Sequence, residues 1–263
     1  MHESAHKLAA LRARIGAIEG VGPSGDAALF ALGHDMLDAR LGGGLARGRL
    51  HELFAADPID QPSVTGFALM LAMRLGDGPL FWLRQDGGVR GAGGLYAPGL
   101  VDLGCDPSRI IEVQAPDEIA LLRAAGDAVR CQQLAAVLIE PWKAARAFDL
   151  TASRRLSITA EKTGVTVLLL RSAADPGPSA AHTRWRVRSI PSQALEANAP
   201  GPTAIEIALI RHRGGIAAFH QRLEWDRDQS AFHEPSLSGA VVPVPAGRSF
   251  AAGDADPVGR RAG

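Results

Sequence analysis

Apolar positions along the chain fall into three regimes. Residues 3–19 place Leu8, Leu11, Ile15 and Ile18 three or four apart, which gathers them on one helical face and predicts an amphipathic helix or arm over residues 1–20. Gly20–Gly33 is glycine-rich and weakly patterned, so residues 21–36 read as a linker. From Gly48 onward strand and helix patterns alternate. Strands are expected at 48–54, 79–84, 109–113, 134–140 and 165–170, several of them apolar throughout, as strands covered on both faces must be. Residues 62–76 bring Val64, Phe67, Ala68, Leu71, Ala72 and Leu75 to one helical face. Residues 116–131 repeat the pattern with Ile119, Leu122, Gly126 and Val129, and residues 144–162 do so with Phe148, Ala152 and Leu156.

Such alternation implies right-handed crossovers and an α/β fold with a mostly parallel sheet flanked by helices. The last third changes period. In 183–189, 203–211 and 217–225 side chains alternate, with Trp185 and Val187 opposing Arg184, Arg186 and Arg188. These segments predict antiparallel strands with one solvated face, appended at the C-terminal end of the core. After Asp228 the composition turns to Pro, Gly, Ala and Ser without period, so 229–263 read as a disordered tail.

Length and composition narrow the picture. A chain of 263 residues suits one large domain with tails, expected at 37–228, and 46% hydrophobic with 21% charged residues belongs to a soluble globular protein. No apolar run of ~18 residues could span a bilayer. The start MHESAHKLAALRARIGAIEG lacks the apolar core and cleavage site of a signal peptide, so a cytoplasmic location is expected. Cys105 and Cys131 are the two cysteines, too few for a disulfide framework or a four-thiolate zinc site, and both are expected as small core residues. A net charge of zero removes any global argument for nucleic-acid binding, so such contact must come from a local patch.

The loop after the first core strand is where an open parallel sheet binds ligands. Here it reads Ala55–Gly66, AADPIDQPSVTG. A working P-loop, G-x-x-x-x-G-K-[ST], converges backbone amides on phosphate, neutralises it with lysine and holds magnesium with the hydroxyl. This loop keeps Ser63, Thr65 and Gly66 but has neither the first glycine nor the Gly-Lys pair. Losing one charge-assisted contact of roughly 1.5–3 kcal/mol weakens binding about ten- to a hundredfold. Asp57 and Asp60 put carboxylates where phosphate would sit, and Asp60 or Ser63 is expected to cap the helix that Pro62 begins.

Glu140 ends the strand where a P-loop ATPase carries its magnesium-associated aspartate, the Walker B position; a hydrogen-bonding role at the strand end is the alternative. Asp86 could act as a base after the second strand. DGGVRGAGGLYAPG at 86–99 lacks the third glycine of a dinucleotide fingerprint and is expected as a flexible loop. No Ser/His/Asp order stands out, and the histidines show no paired spacing for a metal.

With these positions in hand, the chain resembles the RecA superfamily and most closely the ImuA proteins. Leu41–Phe54, LGGGLARGRLHELF, is similar to the glycine-rich lead and first core strand of RecA. Leu95–Leu100 with Leu103–Ile110, then Leu134–Glu140, Val165–Arg171, Ile205–Gly215 and Glu224-Trp225-Asp226, continue the likeness in order over roughly residues 37–228. The chain departs from the pattern where catalysis matters. Walker A is gone, Glu140 replaces an aspartate, and Leu170-Arg171-Ser172 stands where RecA has a nucleotide-sensing glutamine.

The resemblance implies a non-catalytic accessory role, a pseudo-ATPase without cofactor, in damage-induced SOS mutagenesis by translesion synthesis. Implied partners are an ImuB-type inactive Y-family polymerase homologue, an error-prone C-family DNA polymerase and RecA itself, with no membrane contact. Ser172–Thr183 holds the position of a RecA DNA-binding loop yet contains no arginine, lysine or aromatic residue. A DNA or partner patch would therefore draw on Arg154, Arg155, Arg184, Arg186, Arg188, Arg211 and Arg213, with a solvated strand face as the alternative. The arm at 1–20 is assigned to protein contact by analogy with RecA, or to covering its own core. Two rivals remain open: a divergent ATPase using Glu140 and an arginine in place of lysine, and a division inhibitor of the SulA kind.

Overall fold

A computed structural model describes residues 28–171, 176–192, 195, 199 and 201–235. The expected arm with Leu8, Leu11, Ile15 and Ile18, and the tail beyond residue 235, lie outside the described residues. The chain enters the fold as β1 (Leu29–Phe30), α1 (Asp35–Arg40) and β2 (Leu45–Ala46). It continues through β3 (Leu50–Ala55), α2 (Gln61–Met73), β4 (Leu80–Gln85), α3 (Asp86–Ala92), α4 (Ala97–Asp102), β5 (Ile110–Ala115) and α5 (Glu118–Ala128). It ends with β6 (Ala136–Glu140), α6 (Leu150–Thr163), β7 (Thr166–Arg171), β8 (Thr183–Ser189), β9 (Ala204–His212), β10 (Phe219–Asp226) and β11 (Ala231–His233). Each strand expected from Gly48 onward is present within two residues of its expected bounds.

Nine strands form one sheet in the order β11-β10-β9-β8-β3-β7-β6-β4-β5. The six from β8 to β5 run parallel, and β9, β10 and β11 are antiparallel additions beyond β8. Two apolar clusters cover the sheet. α2 packs with Leu53, Trp82, Leu138, Leu168 and Trp185 on one face, and α5 and α6 pack with Leu50, Leu83, Val137, Ile139 and Leu169 on the other. The helices on that second face have conventional starts. Asp117 accepts from the Ile119 and Ala120 amides at the head of α5, and Asp149 accepts from Ala152 at the head of α6.

Four expectations change. The stretch 28–36, expected as linker, is ordered because α2 is apolar on all sides from Phe67 to Met73. Leu69, Met70 and Met73 fall outside the expected face yet are buried, and Phe30, Leu32 and Leu37 join the same cluster. Residues 229–235, expected as disordered tail, close that cover: β11 pairs with β10, Phe232 packs on Phe67, and the Phe232 amide donates to Leu32 O at 3.1 Å. Residues 86–102, expected in their first part as a flexible loop, form α3 and α4. Finally, Cys105 is buried as expected, but Cys131 is exposed just past the end of α5.

The glycine-rich lead is a turn. Gly42, Gly43 and Gly44 have φ of 74°, 117° and 124°, and a Cβ on Gly44 would lie 2.2 Å from Phe30 O. It stands before β3, at the opposite end of that strand from the loop that would face a nucleotide.

Candidate functional site

All six parallel strands deliver their carboxyl ends to one edge, and the loops leaving that edge hold the candidate chemistry. The loop from β3 to α2 contains a short 3-10 turn, Pro58–Asp60, and Asp60 is its buried centre. One carboxylate oxygen accepts from the Ser189 amide at 2.8 Å and the Ser189 hydroxyl at 2.7 Å, and the other accepts from the Asp57 amide at 3.1 Å. Burial alone would raise the Asp60 pKa. The Ser189 and Asp57 hydrogen bonds, with the charge of Arg188, outweigh it and hold the carboxyl below its ordinary value.

Asp60 does occupy the N-cap position of α2, but its side chain is turned away to Ser189 and makes no cap bond to the helix. Ser63 is half-buried within α2, Thr65 donates to Gln61 O at 3.2 Å, and Gly66 is a helical residue with open space beside it. Asp57 is exposed, 3.5 Å from Arg188. Positions 58 and 62 are prolines and lack amides, and the Asp60 amide already donates to Asp57 O at 2.9 Å.

Glu140 is held in a second network. Its Oε2 accepts from Arg84 Nε at 3.0 Å and Trp82 Nε1 at 3.2 Å, while Arg84 also reaches Glu112 at 3.2 Å and Gly93 O at 3.1 Å. Arg84 is buried, so these partners compensate a charge that would otherwise be unpaired. Asp86 pairs with Arg90 at 3.0 Å on the outer side of α3.

The arginines expected as one patch divide. Arg184 is buried on the α6 side of the sheet, its Nε 2.7 Å from Glu52 and its guanidinium 5.0 Å from the Phe54 ring centroid, which corrects its assignment to a solvated face. Ser179 Oγ donates to the other Glu52 oxygen at 2.9 Å. Arg211 and Arg213 donate to Ser179 O at 3.0 Å and Ala180 O at 3.5 Å, holding the crossover from β7 to β8. Arg186 and Arg188 are exposed at the end of β8, and Arg154 and Arg155 are exposed on α6. Among the described residues no hydrogen bond or ion pair joins the α6 pair to the strand arginines.

Residues 141–149 form a loop where the sequence pattern predicts helix from 144. Lys143 and Ala145 have φ of 59° and 41°, outside the helical region. Trp142, 36% exposed, lies across α3: a Cβ on Gly87 would fall 2.8 Å from its Cδ1, and one on Gly91 would fall 2.9 Å from its Cη2. The Trp142 amide donates to Gln85 Oε1 at 2.9 Å. Arg171 pins the loop by donating to Phe148 O and Ala144 O, and its buried Nε has no partner among the described residues. Beside the loop a cleft of about 650 Å³ is lined by Glu52, Arg146, Asp149, Arg171, Pro178 and Arg184. Exposed Lys143 and Arg146 follow the indole in sequence. The signal that sequence reasoning passed over is Pro-Trp-Lys-Ala-Ala-Arg at 141–146, an aromatic interleaved with cations.

At the other end of the strands, His51, His182 and His212 meet edge to face in succession, with ring centroids 6.2 and 4.9 Å apart. Burial lowers His51 to about 4 and His182 to about 3, and lowers His212 as well. Among the described residues no group of three or more His, Cys, Asp or Glu is placed to hold a metal ion, and no helix is long and apolar enough to cross a membrane.

No family model matches the chain. It is 34% identical over 190 residues to proteins named ImuA from two strains of Caulobacter vibrioides, NA1000 / CB15N and ATCC 19089 / CB 15, a match spanning 66% of this chain and 74% of each relative. Among solved structures it is similar to the crystal structure of the RadB recombinase, with a TM-score of 0.53 and 16% identity, covering 79% of this chain and all of that one. The fold is accordingly RecA-like.

Proposed function

The chain belongs to the ImuA family, and from that premise we propose that it is a non-catalytic accessory protein of damage-induced, error-prone translesion DNA synthesis, acting by contact in the cytoplasm rather than by turnover. The observation that carries this reading is Asp60. A buried carboxylate, fastened by three donors and flanked by prolines, fills the turn where a nucleotide's phosphates would need converging amides. Glu140 supports it, since its carboxylate is engaged by Arg84 and Trp82. The partners are an ImuB-type inactive Y-family polymerase homologue, an error-prone C-family polymerase and RecA.

Titration calorimetry with magnesium and ATP tests the reading: no heat of binding is expected, and micromolar affinity overturns it in favour of a divergent ATPase. Co-purification with the division tubulin in place of the ImuB homologue would favour the division-inhibitor alternative.

The 141–149 loop supports a single-stranded DNA contact within the same role. Trp142 offers an indole braced from behind by α3, Lys143 and Arg146 supply exposed cations, and the neighbouring cleft contains Arg171. Stacking of a base on an aromatic ring with phosphates on nearby cations is how strands are held without sequence preference. Trp142→Ala with Lys143→Ala is expected to weaken DNA binding at least tenfold. Wild-type protein that shows no salt-sensitive binding removes this part of the proposal and leaves the accessory role standing.

A further inference from the structure

Helix α5 carries two apolar stripes where one would suffice. Leu121, Ala125 and Ala128 face the sheet and are buried. Of the stripe Ile119, Leu122, Gly126 and Val129, Val129 is buried and half-buried Leu122 packs on the core cluster, while Ile119, Leu122 and Gly126 also line a groove against Ala152 and Leu156 of α6, about 480 Å³ in volume. Ile119 is 48% exposed.

Gly126 is the least expected of these residues. A glycine in a helix interior costs about 1 kcal/mol relative to alanine, and here a Cβ would meet nothing within 4 Å. Neither a close approach nor backbone conformation requires it. What its absence does is keep the groove floor open.

The rim is basic. Arg123, Arg130 and Arg155 line the groove with Asp127 as the acidic member, and Asp127 pairs with Arg130 at 2.9 Å. Arg123 and Arg155 make no side-chain hydrogen bond or ion pair among the described residues. From Ile119 to Arg130 the groove runs about 16 Å at 1.5 Å per residue, three turns of a docked helix. The chain's own amphipathic segment is a poor occupant by charge, since Lys7, Arg12 and Arg14 outnumber Glu3 and Glu19 within residues 1–20.

We infer that the α5–α6 groove is a docking site for an amphipathic helix of another protein, with apolar side chains seated over Gly126 and carboxylates flanking them toward Arg123 and Arg155. Helices bind grooves of this kind through anchors at i, i+3, i+4 and i+7. The inference rests on the accessory reading for the partner's being a protein; the groove includes neither Asp60 nor its partners, and its Ile119 end adjoins the 141–149 loop, where Glu118 accepts from the Ala147 amide at 3.2 Å.

The test uses the full chain and three labelled synthetic helices, one with a leucine stripe flanked by glutamate, one with the same stripe flanked by lysine, and one flanked by glutamate with serine in place of the leucines, together with a peptide of residues 1–20. In fluorescence anisotropy the glutamate-flanked helix is expected to bind at least tenfold tighter than the lysine or serine versions, and less tightly as salt rises. Gly126→Leu is expected to reduce that binding at least tenfold, and Arg123→Glu with Arg155→Glu to reverse the preference toward the lysine-flanked helix. Melting curves matched to wild type establish that these variants fold. Equal binding of all three helices, indifference to both variants, or tightest binding of the 1–20 peptide overturns the inference, as does sedimentation showing a second copy of the chain seated there. ATP calorimetry decides the accessory reading independently of these outcomes.

Discussion

Asp60 and Ser189 are joined by two hydrogen bonds to a single carboxylate oxygen, 2.8 Å from the amide and 2.7 Å from the hydroxyl, so the loop after β3 is fastened to the last residue of β8. Asp60→Ala leaves those donors unmatched and is expected to lower stability by about 2–3 kcal/mol. Differential scanning calorimetry should show this as a Tm fall of roughly 4–12 °C. Because the folded carboxyl lies below its ordinary 3.8, its contribution is present above that pH and is lost as pH falls through the lower folded value.

Acid sensitivity sets in earlier through the histidines. His51 at about 4 and His182 at about 3 bind protons less readily when folded than at the ordinary 6.5, so the unfolded chain takes up protons first as pH drops below 6.5. Stability is therefore expected to fall by about 1.4 kcal/mol per pH unit for each group between pH 6.5 and its folded value. Urea midpoints measured across pH 4–7 check this, and His182→Asn should flatten the slope.

Arg184 and Arg186 sit two residues apart on one face of β8 and should respond unequally to truncation. Arg184→Ala strands the buried Glu52 charge and is expected to lose about 3–5 kcal/mol. Arg186→Ala, on the same face of β8 but exposed, should stay within about 0.5 kcal/mol. Chemical denaturation of the two variants side by side separates them, and it identifies Arg184 as unsuitable for probing DNA contact.

Gly87→Val should dislodge Trp142, since even a Cβ at that position comes within 2.8 Å of the indole. Trp82, Trp185 and Trp225 are buried, so acrylamide quenching reports mainly on Trp142. Increased quenching with an unchanged unfolding midpoint is the expected outcome.

Gly126→Ala should stabilise the protein by about 0.5–1 kcal/mol, because the new methyl meets no neighbour and the helix gains propensity. A urea midpoint at or below wild type would show that the glycine serves the fold itself.

The parallel core was legible because buried strands such as Ala136–Glu140 and Thr166–Arg171 are nearly continuous apolar runs, and period two marked β8 through β10 for the same reason of packing. What period could not convey was how far each apolar stripe of α5 turns inward: Leu122 and Val129 reach the core as expected, whereas Ile119 stays exposed. Nor could it reveal that α2 needs cover on its outer side, which orders residues 28–36 and 229–235 far apart in the chain. The departure of Ala55–Gly66 from G-x-x-x-x-G-K-[ST] is read from its missing lysine and first glycine alone. The buried destination of Arg184 was not legible, because alternation reports a face and not what a crossover such as Pro178–His182 lays over it.

Arg74, at the end of α2, donates to Ala31 O at 2.8 Å and to Ser230 O at 2.9 Å. One guanidinium thus ties the first and last described segments to the same spot, and the fold is nearly a closed ring. A circular permutant that joins residue 235 to residue 28 through a short linker and opens elsewhere should retain the sheet. Cargo fused before residue 28 and after residue 235 would emerge side by side, across the sheet from the α5–α6 groove.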